Sequence, residues 1–277
     1  MALTTLEEHA CFGGVQGFYE HASDAIGLPM RFGVYRPPAQ GPLPVLYYLA
    51  GLTCNEQTFA IKAGAQRYAA EHGLMLVTPD TSPRNTGVAD AQKDWDFGEG
   101  AGFYLDATQE PYARHWRMES WVTRELPAVL ARHFPVQAGV QGIFGHSMGG
   151  HGALTLALRH PGLYHSVSAL APICAPSEVP WGEKAFGSYL GSDRSEWAKH
   201  DAAKLIERGA RVPPLLVDQG LADQFLAQQL RPERLEAACA VAGQPLQLRR
   251  HEAYDHGYFF VASFMADHLA HHAAALK

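Results

Sequence analysis

Short apolar runs alternate along this chain with longer amphipathic segments. The runs have the length of β-strands, and the longer segments repeat their apolar positions at three- and four-residue steps, as a helix does. This alternation is typical of an α/β fold with a mostly parallel sheet. MRFGVYRPP and LPVLYYLAG are predicted to be the first strands, and the predicted strands cover residues 30–38, 43–51, 74–80, 139–144, 165–172, 213–220 and 245–252.

Besides a helical pattern that begins after residue 147, three segments are predicted to be helices. The first, residues 60–73, ends at Gly73, and the last, residues 258–277, forms a C-terminal helix. Residues 120–135 keep a helical spacing of apolar positions despite Pro127. We expect these helices to flank the sheet.

One long interruption separates two of the strands. Residues 172–213 are rich in turn residues and carry a short helical stretch near Trp197, which makes them a candidate cap over a site. There are no internal repeats and no low-complexity linker. We therefore expect a single domain over residues 1–277, with a short cap-like insertion at about 172–213.

Composition narrows the classes of function. The formal net charge of -6 argues against nucleic-acid binding, which needs a basic patch. The N-terminus MALTTLEEHACFGG has no leader pattern, and no apolar stretch approaches the roughly 20 residues of a membrane helix. We expect a cytoplasmic protein that binds neither nucleic acid nor membrane.

The four cysteines are widely spaced and form no C-x-x-C motif. They indicate free thiols rather than a disulfide framework or a zinc site. His268 and His272 share a helix face at metal-ligand spacing, but no third ligand is apparent. We predict no metal and no cofactor.

The clearest chemical motif is Gly145-His146-Ser147-Met148-Gly149, which lies between a predicted strand and a helical pattern. In this context G-x-S-x-G forms a nucleophile elbow, a sharp turn that lifts the serine hydroxyl clear of the sheet. The alternative is a serine that only caps the helix, with glycines present for packing. The strand-turn-helix order favours a catalytic Ser147.

A serine nucleophile needs a base and an orienting carboxylate, which follow it as Asp/Glu and then His in this architecture. Asp218 lies inside a predicted strand end, whereas Asp223 lies in the loop beyond it and is better placed. His256 lies on a glycine-containing turn before the last helix and is the predicted base. Asp255 is a weaker orienting group, since neighbouring residues in an extended loop point apart.

The predicted oxyanion donors are two backbone N–H groups. One is that of Met148, directly after the serine, and the other is expected from a loop after an early strand. LAGLTCNEQTF, residues 49–59, is that loop: Gly51 allows close approach of the backbone, and Leu52 supplies the N–H. His146 and His151 are expected to pack or to form hydrogen bonds locally.

These motifs belong to a longer pattern. The sequence resembles the S-formylglutathione hydrolase (esterase D) family of the α/β-hydrolase superfamily. The resemblance rests on LAGLTCNEQTF, PDTSPR, DWDFGEGAGFYLDATQEPY, GHSMGGHGALTLAL, PWGEKAFGSYLG, DQGLADQFL and YDHGYFF.

The resemblance implies an α/β-hydrolase fold and hydrolysis of a small-molecule thioester, S-formylglutathione, to formate and glutathione. It places the nucleophile, acid and base on Ser147, Asp223 and His256, and the oxyanion donors on Leu52 and Met148. These are the residues that the motif order selects independently.

Two further residues are candidates for the substrate pocket. Trp181 lies in the cap segment and is predicted to narrow the acyl pocket, the alternative being a packing role. Cys54 lies two residues after Leu52, and the alternative for it is an inert buried thiol. The residues that contact glutathione stay open among the basic side chains Lys62, Arg84, Lys93 and Lys184.

Two other functions share parts of this pattern. A broad short-chain carboxylesterase would use every catalytic residue named above. A non-enzymatic binding protein of the same fold would most simply have lost part of the triad, which this sequence retains. The sequence leaves the choice between a monomer and a homodimer open.

Overall fold

Nine strands form one mostly parallel sheet in the computed structural model, which describes residues 3–276. The sheet order is β1-β2-β3-β5-β4-β6-β7-β8-β9. The strands are β1 Leu3–Cys11, β2 Gly14–Ala22, β3 Pro29–Arg36, β4 Leu43–Leu49, β5 Met75–Pro79, β6 Val136–His146, β7 Ser166–Leu170, β8 Leu215–Gly220 and β9 Leu246–His251.

The most deeply buried strands belong to the parallel part of the sheet. Strands β4 to β9 pair in parallel, and β5 and β7 are buried at every residue. Strands covered on both faces need continuous apolar runs, which is why these segments are visible in the sequence. The predicted α/β fold with a mostly parallel sheet is confirmed.

The prediction that MRFGVYRPP begins the sheet was wrong, because an antiparallel hairpin of β1 and β2 precedes it. Strand β1 is exposed along most of its length, so it lacks the alternation of apolar and polar residues that marks a half-buried strand. Its position at the sheet edge comes from pairing with β2, which no local pattern reveals.

The sheet is flanked by helices on both faces. Residues 60–73 form two helices rather than one, because Gly64 adopts a left-handed conformation between them. Residues 118–133 form one continuous helical run, and its middle segment, Trp121–Glu125, is a π-helix. Pro127 lies in the first turn of the α-helix that follows, where a proline is tolerated. The helices are α1 Thr58–Lys62, α2 Ala65–His72, α3 Met118–Ser120, α4 Leu126–His133, α5 Met148–Arg159, α6 Pro180–Tyr189, α7 Arg194–Trp197, α8 Ala202–Glu207, α9 Pro232–Ala242 and α10 Tyr258–Ala275.

The interruption at residues 172–213 is largely helical. It contains α6, α7 and α8, and α6 was missed because Gly182 and Gly187 weaken its helical signal. A Cβ on Gly182 would overlap the backbone carbonyl of Pro176, so the glycine is needed for close packing. Across residues 3–276, every helix is too short or too polar to span a bilayer.

A chain of buried hydrogen bonds joins α10 to the sheet. Asp218 on β8 lies 3.1 Å from Nε2 of His268, and Nδ1 of His268 lies 2.7 Å from Oγ of Ser168. The chain continues through Nε2 of His272, 2.8 Å from Ser168 Oγ, to Ser166, whose Oγ lies 2.6 Å from Nδ1 of His272. The paired histidines therefore bind serine and aspartate oxygens, and among residues 3–276 no group of metal-ligating side chains is assembled.

The charge of Asp218 is balanced by Arg249, which donates from Nε at 2.6 Å and from Nη2 at 2.5 Å. Burial alone would raise the pKa of Asp218, but the hydrogen bonds from His268 and Arg249 outweigh it and hold that pKa far below its usual range. Burial lowers the pKa of His272 well below its ordinary value, so this ring is neutral in the network. In this network the Asp218 carboxylate is charged, and both of its oxygens accept hydrogen bonds.

We expect Asp218→Asn to lower the free energy of unfolding by about 3 kcal/mol, because it leaves a buried hydrogen-bonded ion pair without its anion. Asp267→Asn is the matched control: Asp267 also binds Arg249, at 2.6 Å, but its side chain is 55% exposed. That change should cost less than about 1 kcal/mol. Urea unfolding of both variants measures the difference, and equal losses would contradict a structural role for this network.

Candidate active site

Ser147 occupies a strained turn between β6 and α5. Its φ of 58° and ψ of -122° are a conformation that side chains rarely adopt. The N–H of Ser147 donates to the carbonyl of Leu170 at 3.0 Å, which fixes the turn to β7. A Cβ on Gly149 would overlap the Leu49 carbonyl oxygen, and one on Gly145 would overlap that of Gly149. The flanking glycines are therefore a steric requirement of the turn.

The Ser147 hydroxyl, the His256 imidazole and the Asp223 carboxylate form a continuous hydrogen-bonded row. Nε2 of His256 lies 2.9 Å from Oγ of Ser147, and Nδ1 lies 2.6 Å from Oδ2 of Asp223. A carboxylate only accepts, so Nδ1 carries the hydrogen and Nε2 accepts from the hydroxyl. This is the arrangement in which a serine hydroxyl can pass its proton to a histidine.

The Asp223 carboxylate is held in place from both sides. Oδ1 accepts the backbone N–H of Phe225 at 2.8 Å, and Oδ2 accepts Nε2 of Gln219 at 3.3 Å. The other candidates are engaged elsewhere: Asp218 is committed to its buried network, and Asp255 accepts the N–H of Gly257 at 2.8 Å. Of the three carboxylates weighed from the sequence, Asp223 alone lies against His256.

The backbone N–H groups of Leu52 and Met148 have no hydrogen-bond partner within the described part of the chain. Met148 is the first residue of α5, where N–H groups have no partner within the helix. The loop carrying Leu52 lies against Ser147, since a Cβ on Gly51 would come within 3.1 Å of the Ser147 Cβ. Tyr104 anchors that loop by donating to the carbonyl of Ala50 at 2.8 Å.

His146 and His151 lie on either side of the serine without joining the row. His151 binds the carbonyl of Phe103 through Nε2 at 3.2 Å. His146 is buried, and its ring lies 4.5 Å from that of His256, with neither nitrogen bound to another residue between positions 3 and 276. Burial, with a smaller effect of His256, lowers the pKa of His146 well below its ordinary value. A neutral ring therefore packs against the imidazole of His256.

A cavity of about 150 Å³ opens over Ser147. The predicted pocket residues Cys54 and Trp181 both line it. Three aromatic residues that the sequence did not single out complete the wall: Trp95, Phe225 and Tyr258. Trp181 packs edge-to-face on Trp95, with ring centroids 5.7 Å apart, so residues far apart in sequence form one aromatic wall.

The Cys54 thiol is an interior group of this wall. Burial raises its pKa, and the hydroxyl of Tyr258, which is within hydrogen-bonding reach, only partly offsets that rise. The Tyr258 hydroxyl is also 3.3 Å from that of Tyr48. The thiol is therefore uncharged at neutral pH.

A larger cavity, of about 530 Å³, lies beyond the Leu52 loop and contains no member of the hydrogen-bonded row. We call it the β5 cavity because Asp80, Ser82 and Arg84, which follow β5, form part of its wall. It is strongly polar, whereas the Ser147 cavity is mostly aromatic. Ser147 and His256 line the smaller cavity.

Known proteins resemble this chain over nearly its whole length. A family model named Esterase and described as "Putative esterase" matches residues 23–271. An S-formylglutathione hydrolase from Agrobacterium tumefaciens is 48% identical, with 99% of this chain and 100% of that one covered and a TM-score of 0.97.

More distant structures share the fold alone. A fluorophosphonate-binding serine hydrolase, FphF of Staphylococcus aureus, is 20% identical with a TM-score of 0.72, over 94% of this chain and 98% of that one. A ferulic acid esterase is 19% identical with a TM-score of 0.73, over the same shares. With the full-length match to the bacterial enzyme, these findings show that the chain is a serine esterase of the α/β-hydrolase fold and belongs to the S-formylglutathione hydrolase (esterase D) family.

Proposed function

We propose that this chain hydrolyses S-formylglutathione to formate and glutathione through Ser147, His256 and Asp223. The observation that carries the proposal is the continuous row from Asp223 through His256 to Ser147, with distances of 2.6 and 2.9 Å, below a small acyl-sized cavity. The 48% identity to an S-formylglutathione hydrolase supports the choice of substrate. This substrate places the reaction in the detoxification of formaldehyde.

In the first half of the reaction, Oγ of Ser147 attacks the formyl carbon while Nε2 of His256 takes its proton. Asp223 stabilises the imidazolium that forms. The carbonyl oxygen becomes an oxyanion, which the N–H groups of Leu52 and Met148 bind, and the N-terminal end of α5 favours the same negative charge. Collapse of this intermediate breaks the carbon–sulfur bond and releases the thiol with the proton from His256.

In the second half, water attacks the formyl ester on Ser147. His256 takes a proton from the water and returns it to Oγ of Ser147 as the ester bond breaks. Formate is released and the hydroxyl is restored. A thiolate leaves readily, so deacylation is the more demanding half-reaction.

We propose that residues 172–213 serve as a short cap for this site. The cap contributes Trp181, which is 5% exposed and packs on Phe225 with ring centroids 4.7 Å apart. A cavity of about 150 Å³ with such a wall accepts a formyl or acetyl group and excludes long acyl chains. Short-chain carboxylesterase activity is the second function that this aromatic wall favours.

We expect Ser147→Ala to lower kcat for S-formylglutathione by several orders of magnitude, up to roughly 10⁶, because the nucleophile and base act as a unit. Steady-state hydrolysis by the folded variant measures the loss. Activity within tenfold of the parent would rule out the mechanism.

A matched pair of substitutions tests the acid in the same assay. Asp223→Asn should lower kcat by around 10⁴ through a wrongly oriented imidazole. Asp218→Asn makes the same chemical change five positions earlier in the chain. It should leave the turnover per folded molecule near that of the parent. The reverse pattern would show that the acid has been assigned to the wrong residue.

For p-nitrophenyl esters, we expect kcat/KM to fall by at least about tenfold between acetate and octanoate, because the aromatic wall limits the acyl group. Trp181→Phe should make the fall of kcat/KM with chain length smaller, because the smaller side chain enlarges the cavity. Trp197→Phe, in the same cap but outside the cavity wall, is the control and should leave the decline unchanged. A rise of kcat/KM with chain length in the parent would contradict the proposed acyl pocket.

N-ethylmaleimide should inhibit the enzyme through Cys54, since a group added there crowds the Leu52 loop and the loss of one oxyanion donor costs roughly 10² to 10³ in kcat. Because the pKa of this thiol is raised, its thiolate fraction is small at neutral pH. Inactivation should therefore accelerate when the pH rises above the ordinary pKa of a cysteine thiol. Cys54→Ser should stay active and resist the reagent, whereas Cys11→Ser should remain sensitive. Equal resistance or equal sensitivity of the two variants would remove Cys54 from this account.

A further inference from the structure

The β5 cavity carries two arginine–carboxylate pairs in its wall. Arg84 binds Asp80 through Nη2 to Oδ1 at 2.7 Å and through Nε to Oδ2 at 3.0 Å. Arg31 binds Glu20 through Nε at 3.0 Å. In neither pair does the arginine use all of its N–H donors. Nη1 of Arg84 and both Nη groups of Arg31 bind no residue in the described range. The cavity therefore holds free guanidinium donors, which suit a carboxylate ligand.

Glu56 differs from the other carboxylates of this wall. It is 3% exposed, yet its carboxylate forms no hydrogen bond with another side chain or with the backbone of another residue in the part described. The Glu56 backbone is fixed, because its carbonyl accepts the hydroxyl of Thr78 at 2.8 Å. Glu56 lines the β5 cavity, so a ligand in the cavity can supply a hydrogen-bond donor to this carboxylate.

The electrostatics of Glu56 favour a cationic donor. Burial, and then the nearby charge of Asp80, raise the pKa of Glu56. Arg31 and Arg84 lower the pKa of Glu56 by a smaller amount, and both arginines are already paired with Glu20 and Asp80. An ammonium group supplies both the charge and the hydrogen-bond donors that Glu56 lacks.

The cavity also lies at a suitable distance from Ser147. Strands β5, β4 and β6 are consecutive in the sheet, Asp80 follows β5, and Ser147 follows β6 at the same edge. Two strand spacings give a separation of about 10 Å. In glutathione the sulfur is on the middle residue, and eight bonds separate it from the ammonium nitrogen, a reach of about 10 Å when extended. A thioester whose formyl carbon lies at Oγ of Ser147 can therefore place its γ-glutamyl end in the β5 cavity, across the Leu52 loop.

We propose that the β5 cavity is the subsite for the α-amino acid end of the leaving thiol, with Glu56 binding its ammonium group and Arg84 its carboxylate. The inference rests on the proposed function, in which the leaving thiol is glutathione and this end is its γ-glutamyl group. It assigns Arg84, one of four basic residues that the sequence left open, and adds Glu56.

A second cavity, of about 370 Å³, lies on the other side of His256 and is the competing location. The ionisable side chains in its wall are Asp255 and His256, and Asp255 already accepts the N–H of Gly257. Its wall thus offers no arginine or lysine for a carboxylate. A zwitterionic end group is better matched by the β5 cavity.

The test uses two stable analogues, S-methylglutathione and its N-acetyl derivative, as competitive inhibitors of p-nitrophenyl acetate hydrolysis. N-acetylation removes the ammonium charge and changes nothing else near the thiol. We expect the wild-type enzyme to bind the free amine about tenfold more tightly than the N-acetyl compound. Glu56→Gln should lower this ratio to near one, and Glu56→Asp, which keeps the charge, should preserve most of it.

Asp255→Asn is the matched control for the competing cavity and should keep the wild-type ratio. A ratio near one in the wild type, or an unchanged ratio in Glu56→Gln, would overturn the subsite. If only Asp255→Asn lowers the ratio to near one, the ammonium group binds in the other cavity. These results are separate from the proposed function, which fails if the wild type hydrolyses p-nitrophenyl acetate but not S-formylglutathione.

Discussion

The backbone of Ser147 is the constraint on which the rest of the site depends. Its conformation is unfavourable, so the surrounding structure has to hold it in place. The Leu170 carbonyl binds its N–H, and the absence of side chains at Gly145 and Gly149 leaves room for β4. The same turn aims the hydroxyl at His256, starts α5 and brings the Met148 N–H beside it. One strained residue thereby aligns three groups.

Local patterns located the three residues of the hydrogen-bonded row but not the wall of the cavity around them. Ser147 and Asp223 were readable because each follows the buried end of a parallel strand, and such strands are continuous apolar runs. Strand β9 has no buried residue, and His256 was found from its order in the chain and its place before the last helix. Trp95 and Tyr258 were not, because their place in the wall depends on contacts between distant segments. Strand β1 and helix α6 were missed for a related reason: pairing and packing, not propensity, hold them in place.

Asp218 and Asp223 are five positions apart and carry the same side chain, but their surroundings give them different hydrogen-bond partners. Asp218 lies within β8, where Arg249 and two histidines surround its carboxylate, and its charge serves to hold α10 on the sheet. Asp223 lies in the loop that follows, with donors from Phe225 and Gln219 and one free direction toward His256. Only the second contacts the imidazole that is hydrogen-bonded to Ser147.

The carbonyl of Cys54 accepts both Arg84 Nη2, at 2.8 Å, and the hydroxyl of Thr81, at 2.7 Å. These bonds tie the Leu52 loop to the loop after β5, and the carbonyl of Gly100 binds it again through the N–H of Thr53 at 3.0 Å. The loop therefore has little freedom to adjust when a carbonyl oxygen arrives. The loop is thus preorganised, and we expect the free and acylated forms to share one backbone conformation around it.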